Sequence, residues 1–227
     1  MIRVIVIDTI PDINLTVTPT NGCTPLVVTS NNTSTGGALT YAWYIDGIYY
    51  SNAAQIPNQT FTCPPGNVPV THSIHLYVTN HCGTRDSIVL ITVHPAVLAQ
   101  FTPVTSTICQ GGSVTFTQNS LGDQLTYAWD FGNGNTSTTA GPHTQVYNTA
   151  GTFTVSLIVN GFCGADTVTH TVVVNPIPIT LITPPVVTGC EDLTVNFVNG
   201  STVGGTYAWT FTGGAPATST AYTPPAV

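Results

Sequence analysis

The pentapeptide LTYAW occurs at residues 39–43 and again at residues 125–129, and GTYAW follows at residues 205–209. These three stretches contain all three tryptophans of the chain. Tyr127 follows Tyr41 by 86 residues, and Tyr207 follows Tyr127 by 80. This period is too long for helical or propeller repeats and fits a small sandwich domain of about 100 residues or fewer. The motif is therefore either a binding code or the core strand of a recurring domain.

The residues around the second motif favour the core strand. Leu125, Tyr127 and Trp129 alternate with small or polar residues, and a period of two places them on one face of a strand. The same positions in the other stretches are occupied by Tyr41, Trp43, Tyr207 and Trp209. A tryptophan that binds sugars or bases would have to present its ring outward, so we assign the tryptophans to the domain cores. Similar alternation recurs along the chain without any helical period, and it predicts an all-β fold of tandem immunoglobulin-like β-sandwich domains.

The cysteines recur in the same register. Cys23, Cys109 and Cys190 precede the tyrosine of their motif by 18, 18 and 17 residues, and Cys82 and Cys163 each stand 13 residues before a proline. One early and one late cysteine per repeat predicts a disulfide within each domain, Cys23 with Cys82 and Cys109 with Cys163. Such pairs indicate a chain that folds outside the reducing cytosol.

Two cysteines fall outside this scheme. Cys190 is the early cysteine of the last motif, and no late cysteine follows it in these residues. Cys63 fits no pair, and it is either an unpaired, partly buried thiol or a residue bonded to another chain.

The composition excludes several classes of partner. Charged residues make up 5% of the chain, against about 25% in ordinary soluble domains. Lysine is absent, Arg3 and Arg85 are the only basic residues, and the net charge is -7. No basic patch can form for phosphate, so we expect no nucleic acid partner. No apolar run approaches 18 residues, so we expect no membrane span in these residues. The surface must be rich in threonine, which accounts for 42 of the 227 residues and favours strands.

Residues around the second motif resemble the PKD (polycystic kidney disease) repeat. The family pattern runs from an aromatic strand into Trp-Asp-Phe-Gly-Asp-Gly, then Pro-x-His-x-Tyr, then Gly-x-Tyr/Phe-x-Val-x-Leu. The matching residues are Trp129, Asp130, Phe131, Gly132, Gly134, Pro142, His143, Tyr147, Gly151, Phe153, Val155 and Leu157. Asn133 replaces the second aspartate, which weakens the case for a metal in that turn. The residues 145–146 lengthen the step from His143 to Tyr147.

The resemblance implies a domain plan of four segments. Residues 1–10 are expected to be the last strand of a preceding repeat, and 11–95 an immunoglobulin-like repeat. Residues 96–176 are expected to form a PKD-like repeat, and 177–227 a partial one. The late cysteines before Asp-Ser or Asp-Thr are similar to arrays in giant adhesion and gliding proteins of Bacteroidota, exported by type IX secretion. This similarity implies an extracellular or cell-surface location. It makes Thr9, Ser87 and Thr167 candidates for O-glycosylation, although a threonine-rich chain contains such matches by chance.

The sequence contains no recognisable chemistry. His72 and His75 are three residues apart, which places them on opposite faces of a strand, and no further ligand completes a zinc set. Asp130 is expected to shape its turn by accepting backbone N–H bonds. Glu191 and Asp192 form an acidic pair without a partner base. Motifs for nucleophiles, phosphate loops and zinc proteases are absent, so we expect no enzyme, no metal and no cofactor.

Two functions remain open. The first is the repeat region of a cell-surface stalk or filament for adhesion, gliding or prey contact, with an unknown ligand bound at a tip outside these residues. The alternative is an accessory binding module of a secreted hydrolase that recognises polysaccharide or protein. Strand edges without lysine favour lateral pairing into a homo-oligomer or fibre, whereas loops or glycans over those edges would leave a monomer.

Overall fold

The computed structural model describes residues 8–184, 187–190 and 193–227. Within them the chain is all-β and has no helix, which confirms the predicted fold class. The strands are β1 (Leu15–Thr18), β2 (Asn21–Cys23), β3 (Leu26–Asn32), β4 (Thr40–Ile45), β5 (Ile48–Ser51), β6 (Gln59–Phe61), β7 (Val70–Asn80), β8 (Gly83–His94), β9 (Phe101–Thr102), β10 (Thr105–Cys109), β11 (Ser113–Gln118), β12 (Thr126–Asp130), β13 (Thr136–Ser137), β14 (His143–Val146), β15 (Gly151–Gly161), β16 (Gly164–Asn175), β17 (Ile182–Thr183), β18 (Val198–Asn199), β19 (Trp209–Thr210) and β20 (Thr218–Ser219).

Strands β1 to β8 form one sandwich, and β9 to β16 form another with the same order of strands. In the first sandwich, the sheet β1-β3-β6 packs on the five-stranded sheet β2-β8-β7-β4-β5. In the second sandwich, β9-β11-β14 packs on β10-β16-β15-β12-β13. Neighbouring strands are antiparallel except at one edge of each five-stranded sheet, where β2 runs parallel to β8 and β10 runs parallel to β16.

Each sandwich core lies between its two sheets. Inward residues alternate with outward ones along every long strand, as in β15, where Val155, Leu157 and Val159 are fully buried. Trp43 is 0% exposed and Trp129 is 2% exposed. Their indole N–H groups donate to backbone carbonyl oxygens at 2.8 Å and 3.1 Å, so the only polar atom of each ring is satisfied.

The turn after the second tryptophan is set by Asp130. Its Oδ1 accepts the backbone N–H of Gly132 at 2.8 Å, which is the role expected from the sequence. Gly132 has φ +71°, and a Cβ there would lie 2.5 Å from the carbonyl oxygen of Thr154. Glycine is therefore required at this position both by the backbone conformation and by the close approach of β15.

The segment that contains the third motif has two short ladders, β17-β18 and β19-β20, and Trp209 of the motif lies on β19. Trp209 is again buried, donates its indole N–H to the carbonyl oxygen of Ala221 at 3.0 Å, and stacks on Phe211. The local packing of the motif therefore recurs in this segment. The strand expected within residues 1–10 falls mainly on residues 1–7, and the acidic pair on residues 191–192; both lie outside the described residues.

Candidate functional site: the joint between the two sandwiches

A disulfide between Cys23 and Cys163 joins the two sandwiches, with the Cα atoms 5.6 Å apart. Cys23 ends β2 of the first sandwich, and Cys163 lies in the turn between β15 and β16 of the second. Cys82 and Cys109 are exposed free thiols. The predicted pairings of Cys23 with Cys82 and of Cys109 with Cys163 are therefore wrong.

The long hairpins explain why these pairings are impossible. Cys82 lies in the turn before β8, whereas Cys23 pairs with His94 at the opposite end of that strand. The strand has 12 residues, which at about 3.3 Å per residue separates the two cysteines by roughly 35 Å. Bonded cysteines have Cα atoms about 4.4–6.8 Å apart. Cys109 and Cys163 are likewise placed at opposite ends of β16.

His94 is buried at the centre of the joint and is only 6% exposed. Its Nδ1 lies 2.7 Å from Oδ2 of Asp123 in the second sandwich, and its Nε2 lies 2.8 Å from Oδ1 of Asn21 on β2. The carboxylate can only accept, so Nδ1 donates to it. The ring also stacks on Phe162 at 3.7 Å between centroids. This one side chain therefore contacts both sandwiches through polar bonds and through its ring face.

Backbone groups bring the two sandwiches still closer. The N–H of Gly122 donates to the carbonyl oxygen of Gly66, at 2.8 Å, and to Oδ1 of Asn67, at 3.1 Å, both in the loop between β6 and β7. Gly122 has φ +140°, and a Cβ there would lie 2.7 Å from the side chain of Leu125. A side chain at this position would be strained by the backbone conformation and would crowd Leu125 and the linker at Val97, so the loop that makes this contact favours glycine.

The linker between the sandwiches is also held in place. Pro95 is buried, and Leu98 forms a backbone bridge with Leu121 of the second sandwich. The N–H of Ala99 donates to Oδ2 of Asp166 on β16 at 2.8 Å. A short proline linker with these bonds resists bending, so the joint is stiff.

The remaining predicted residues lie away from the joint or at its border. Cys63 is buried and forms no disulfide within the described residues, and its Sγ lies 3.5 Å from the carbonyl oxygen of Pro64. Thr9 and Thr167 are exposed, and Ser87 is half-buried.

The histidines of β7 make pairs that the sequence did not indicate. Nδ1 of His72 lies 2.8 Å from Oδ2 of Asp46, and Nε2 of His75 lies 2.9 Å from Oδ2 of Asp86. In the part of the chain that the structure describes, no three residues of the types His, Cys, Asp and Glu come close enough together to hold a metal ion.

A group of aromatic residues that the sequence analysis does not predict lies on the outside of the first sandwich. Tyr44, Tyr49 and Tyr77 lie on the outer face of the first five-stranded sheet, with Tyr44 5.7 Å and 5.5 Å from the other two ring centroids. Ile88 and Leu90 on β8 extend this surface and are 55% and 60% exposed. We call these five residues the aromatic face. Their outward parity along β4 and β7 was the signal that could have revealed them.

The second sandwich has no such surface at the matching positions. Tyr44 and Asp130 each follow the buried tryptophan of their sandwich by one residue. Across the sheet, Tyr44 is in a row with His75 and Ile88, and Asp130 is in the matching row with Ser156 and Thr169. This row of the second sandwich is therefore polar, whereas Ile158 and Val173 are 41% and 38% exposed elsewhere on the same face.

These features define a chain of β-sandwich repeats with a covalently closed joint. Residues 92–176 match the family model of the PKD domain, so the second sandwich is similar to that domain. No curated protein matches the chain. None of the described residues forms a helix that could cross a membrane.

Among solved structures, the chain is similar to tandem immunoglobulin domains. It is 14% identical to a fragment of Dscam1 isoform 6.9 with four N-terminal Ig domains, with a TM-score of 0.46; the match covers 77% of this chain and 48% of that one. It is 11% identical to the E-to-A variant of titin domains I67–I69, with a TM-score of 0.49, covering 88% and 78% of the two chains. The chain thus spans about half the length of the Dscam1 fragment. These likenesses are too distant to support a conclusion about function.

Proposed function

We propose that this chain is a structural repeat region of an extracellular cell-surface stalk or filament that bears tension in adhesion, gliding or prey contact. The observation that carries the proposal is the disulfide across the joint. A stalk has to keep its length and direction under load, and a covalent bond between successive domains serves that purpose directly. The bond also fits an oxidising environment outside the cell. The proposal assigns no catalytic activity to the chain.

The disulfide provides a covalent bypass for force. When the two ends of the chain are pulled apart, tension passes from Cys23 through the bond to Cys163. The two cysteines are 140 residues apart in sequence, and the residues between them carry no load along the backbone. Unravelling that segment would lengthen the chain by up to about 480 Å at roughly 3.4 Å per residue. The bond withholds this extension, so a sandwich that loosens can lengthen the rod only through the residues outside the enclosed segment.

Single-molecule pulling on the full chain, held at its two ends, tests the proposal. Without reductant, we expect the released length to exclude the segment enclosed by the disulfide, and with reductant we expect that segment to extend. Cys23→Ser should behave like the reduced chain in both conditions, and Cys109→Ser, which removes a free thiol, should behave like the unchanged chain. Full extension of the oxidised chain would contradict the proposal.

Lateral assembly is a second part of the proposal and rests on the sheet edges. Strand β5 is an edge strand of the first sandwich, and its Ile48 and Tyr49 are 73% and 56% exposed. Natural proteins commonly protect such edges with lysine or other charges, and this chain has no lysine. Light scattering at high concentration and high salt tests this part, because a stable monomer there would exclude self-association through these edges.

The remaining features of the proposal follow from the repeat plan. We propose domain limits at residues 11–95, 96–176 and 177–227, and Thr9, Ser87 and Thr167 as positions for O-glycans. Intact-mass measurement of protein from its native source would detect glycans at these positions. The resemblance to surface proteins of Bacteroidota supports export by type IX secretion and a binding tip outside this chain.

The aromatic face favours a second candidate function, the accessory binding module of a secreted hydrolase. Rings presented outward can pack on the apolar faces of sugars, and Tyr44 and Tyr77 lie on one outer sheet face with their ring centroids 5.5 Å apart. A pull-down on insoluble polysaccharides decides between the candidates. Retention that is lost in Tyr44→Ala and Tyr77→Ala, but kept in Thr169→Ala on the second sandwich, would favour the binding module. No retention of the unchanged chain would remove it.

A further inference from the structure

We infer that the joint disulfide is one member of a recurring set of bonds between successive sandwiches. Cys109 is equivalent to Cys23 of the observed bond, and Cys82 is equivalent to Cys163. Each of the two thiols forms a disulfide with the matching cysteine of another sandwich of this type. Cys109 takes the turn cysteine of a sandwich that follows, and Cys82 takes the strand-end cysteine of a sandwich that precedes. This inference rests on the proposed function and adds to it the partner and the chemistry of each joint.

Cys109 has the same local structure as the bonded Cys23. Cys23 lies on an edge strand that runs parallel to β8 and pairs with His94. Cys109 lies on an edge strand that runs parallel to β16 and pairs with Asn175. In both cases the backbone N–H of the next residue donates to the carbonyl oxygen of that partner, at 3.0 Å and 2.8 Å. The end of the second sandwich therefore presents its cysteine as the end of the first does.

Cys82 has the same surroundings as the bonded Cys163. Sγ of Cys163 lies 3.7 Å from the carbonyl oxygen of His94, the residue beside Cys23. Sγ of Cys82 lies 3.4 Å from the carbonyl oxygen of Asp8. The residues that lead into the first sandwich therefore contact its turn cysteine, Cys82. The linker contacts the turn cysteine of the second sandwich, Cys163, in the same way.

The register of the incoming chain supports this equivalence. Asp8 stands four residues before Asp12, which bridges to Thr35 of the first sandwich. His94 stands four residues before Leu98, which bridges to Leu121 of the second. Asp8 therefore occupies, ahead of the first sandwich, the position that His94 occupies ahead of the second.

A pair of glycines shows the same approach of the chain at both entrances. Gly36 and Gly122 have φ +146° and +140°. A Cβ at these positions would lie 3.0 Å from Leu39 and 2.7 Å from Leu125, and 3.5 Å and 3.3 Å from a Cα of the incoming chain. The entrance to the first sandwich is thus shaped like the closed joint, although its cysteine is unbonded.

Neither thiol can be satisfied within its own sandwich, because the strand-end and turn cysteines lie roughly 35 Å apart at about 3.3 Å per residue. Both thiols are exposed and accessible to a neighbour. Bond formation needs an external disulfide such as oxidised glutathione. The thiolate of Cys109 attacks it and releases one glutathione thiolate, and the partner thiolate then attacks the mixed disulfide and releases the second. Two thiols are oxidised, and one disulfide is reduced to two thiols.

The test inserts a second copy of residues 96–176 directly after residue 176 of the full chain. The inserted copy carries Cys109→Ser, so the original Cys109 is the only one present, and Ala165→Ser as a mass mark beside its Cys163. The protein is oxidised in a glutathione buffer and mapped by non-reducing mass spectrometry. We expect Cys109 to be linked to the marked peptide and Cys23 to the unmarked one.

Recovery of Cys109 as a free thiol, or linked to the unmarked peptide, would overturn the inference. The bond from Cys23 to the unmarked peptide serves as the check that the joint has folded. If that bond is absent, a second protein is tested instead. In this protein a copy of residues 11–95 that carries Cys82→Ser is inserted after residue 10. There the original Cys82 should lose its thiol, and a free Cys82 would be equally decisive against the inference. Either failure would leave the pulling result on the Cys23–Cys163 bond, and with it the proposed function, untouched.

Discussion

The two sandwiches share their strand order, their buried tryptophan and the position of both cysteines, yet only the first carries a group of tyrosines on its outer sheet face. One face carries Tyr44, Tyr49 and Tyr77, and the matching positions of the other carry Asp130, Thr136 and Ile158, none of which is aromatic. Features that recur in both sandwiches are those that build a core or close a joint. The feature that occurs once is a surface. The comparison therefore separates the core and the joint, which recur, from the aromatic face, which only the first sandwich presents.

The largest effect is expected from the shared core. Trp129→Ala should cost about 3–5 kcal/mol of unfolding free energy, because a fully buried indole and its hydrogen bond are lost. Trp43→Ala should cost a similar amount, whereas Trp209→Ala, in the short ladders, should cost less. Denaturant unfolding of the full chain measures all three. A loss below 1 kcal/mol at Trp129 would break the equivalence of the two cores.

The next effect concerns the joint. Cys163→Ser should lower the unfolding free energy by about 2–4 kcal/mol, the typical contribution of a disulfide. Cys109→Ser should leave the free energy unchanged, because that thiol is free in this chain. Thermal unfolding with and without reductant checks both variants. Equal stability of the two variants would contradict the assignment of Cys163 as bonded and Cys109 as free.

A smaller effect is expected at His94. In His94→Ala the carboxylate of Asp123 loses its donor and the ring of Phe162 loses its stacking partner, at a cost of about 1–3 kcal/mol. Small-angle scattering should show a wider range of angles between the sandwiches when this variant is combined with Cys163→Ser. His81→Ala, at an exposed histidine, is the matched control. Unchanged scattering of the double variant would show that the histidine does not hold the joint.

The smallest effect is a loss of stability of the second sandwich at high pH, which depends on Tyr147. Burial raises the pKa of Tyr147 from about 10 to about 12. Folding is therefore favoured fully below pH 10 and loses this contribution as the pH rises towards 12, because the unfolded chain ionises first. Tyr147→Phe also removes the bond to the carbonyl oxygen of Phe131, 2.9 Å away, at about 1 kcal/mol near neutral pH. The variant should lose less stability than the unchanged chain between pH 9 and 12, and equal losses would refute this assignment.

The core could be predicted from the sequence because strand alternation is a local property. Leu125, Tyr127 and Trp129 are spaced by two residues, and this spacing alone places them on one face. The partner of each cysteine could not be predicted in this way. Register in sequence shows which cysteines are equivalent, but equivalent positions can be bonded within a domain or from one domain to the next.

A physical signal for the correct partner was nevertheless present. Cys82 stands between two long strand-forming runs and directly before Gly83, which marks a hairpin turn. A cysteine in such a turn lies at one end of the sandwich, and an early cysteine that precedes the first core strands lies at the other. The contacts of His94 and Gly122 could not be inferred, because they depend on how two domains meet and leave no periodic pattern.

Non-reducing peptide mapping of the full chain tests the joint most directly. The free thiols are blocked before digestion, so that each cysteine is recovered either alkylated or in a linked pair. The joint described above predicts one linked pair, Cys23 with Cys163, and alkylated Cys82 and Cys109. A link from Cys23 to Cys82, or from Cys109 to Cys163, would contradict it.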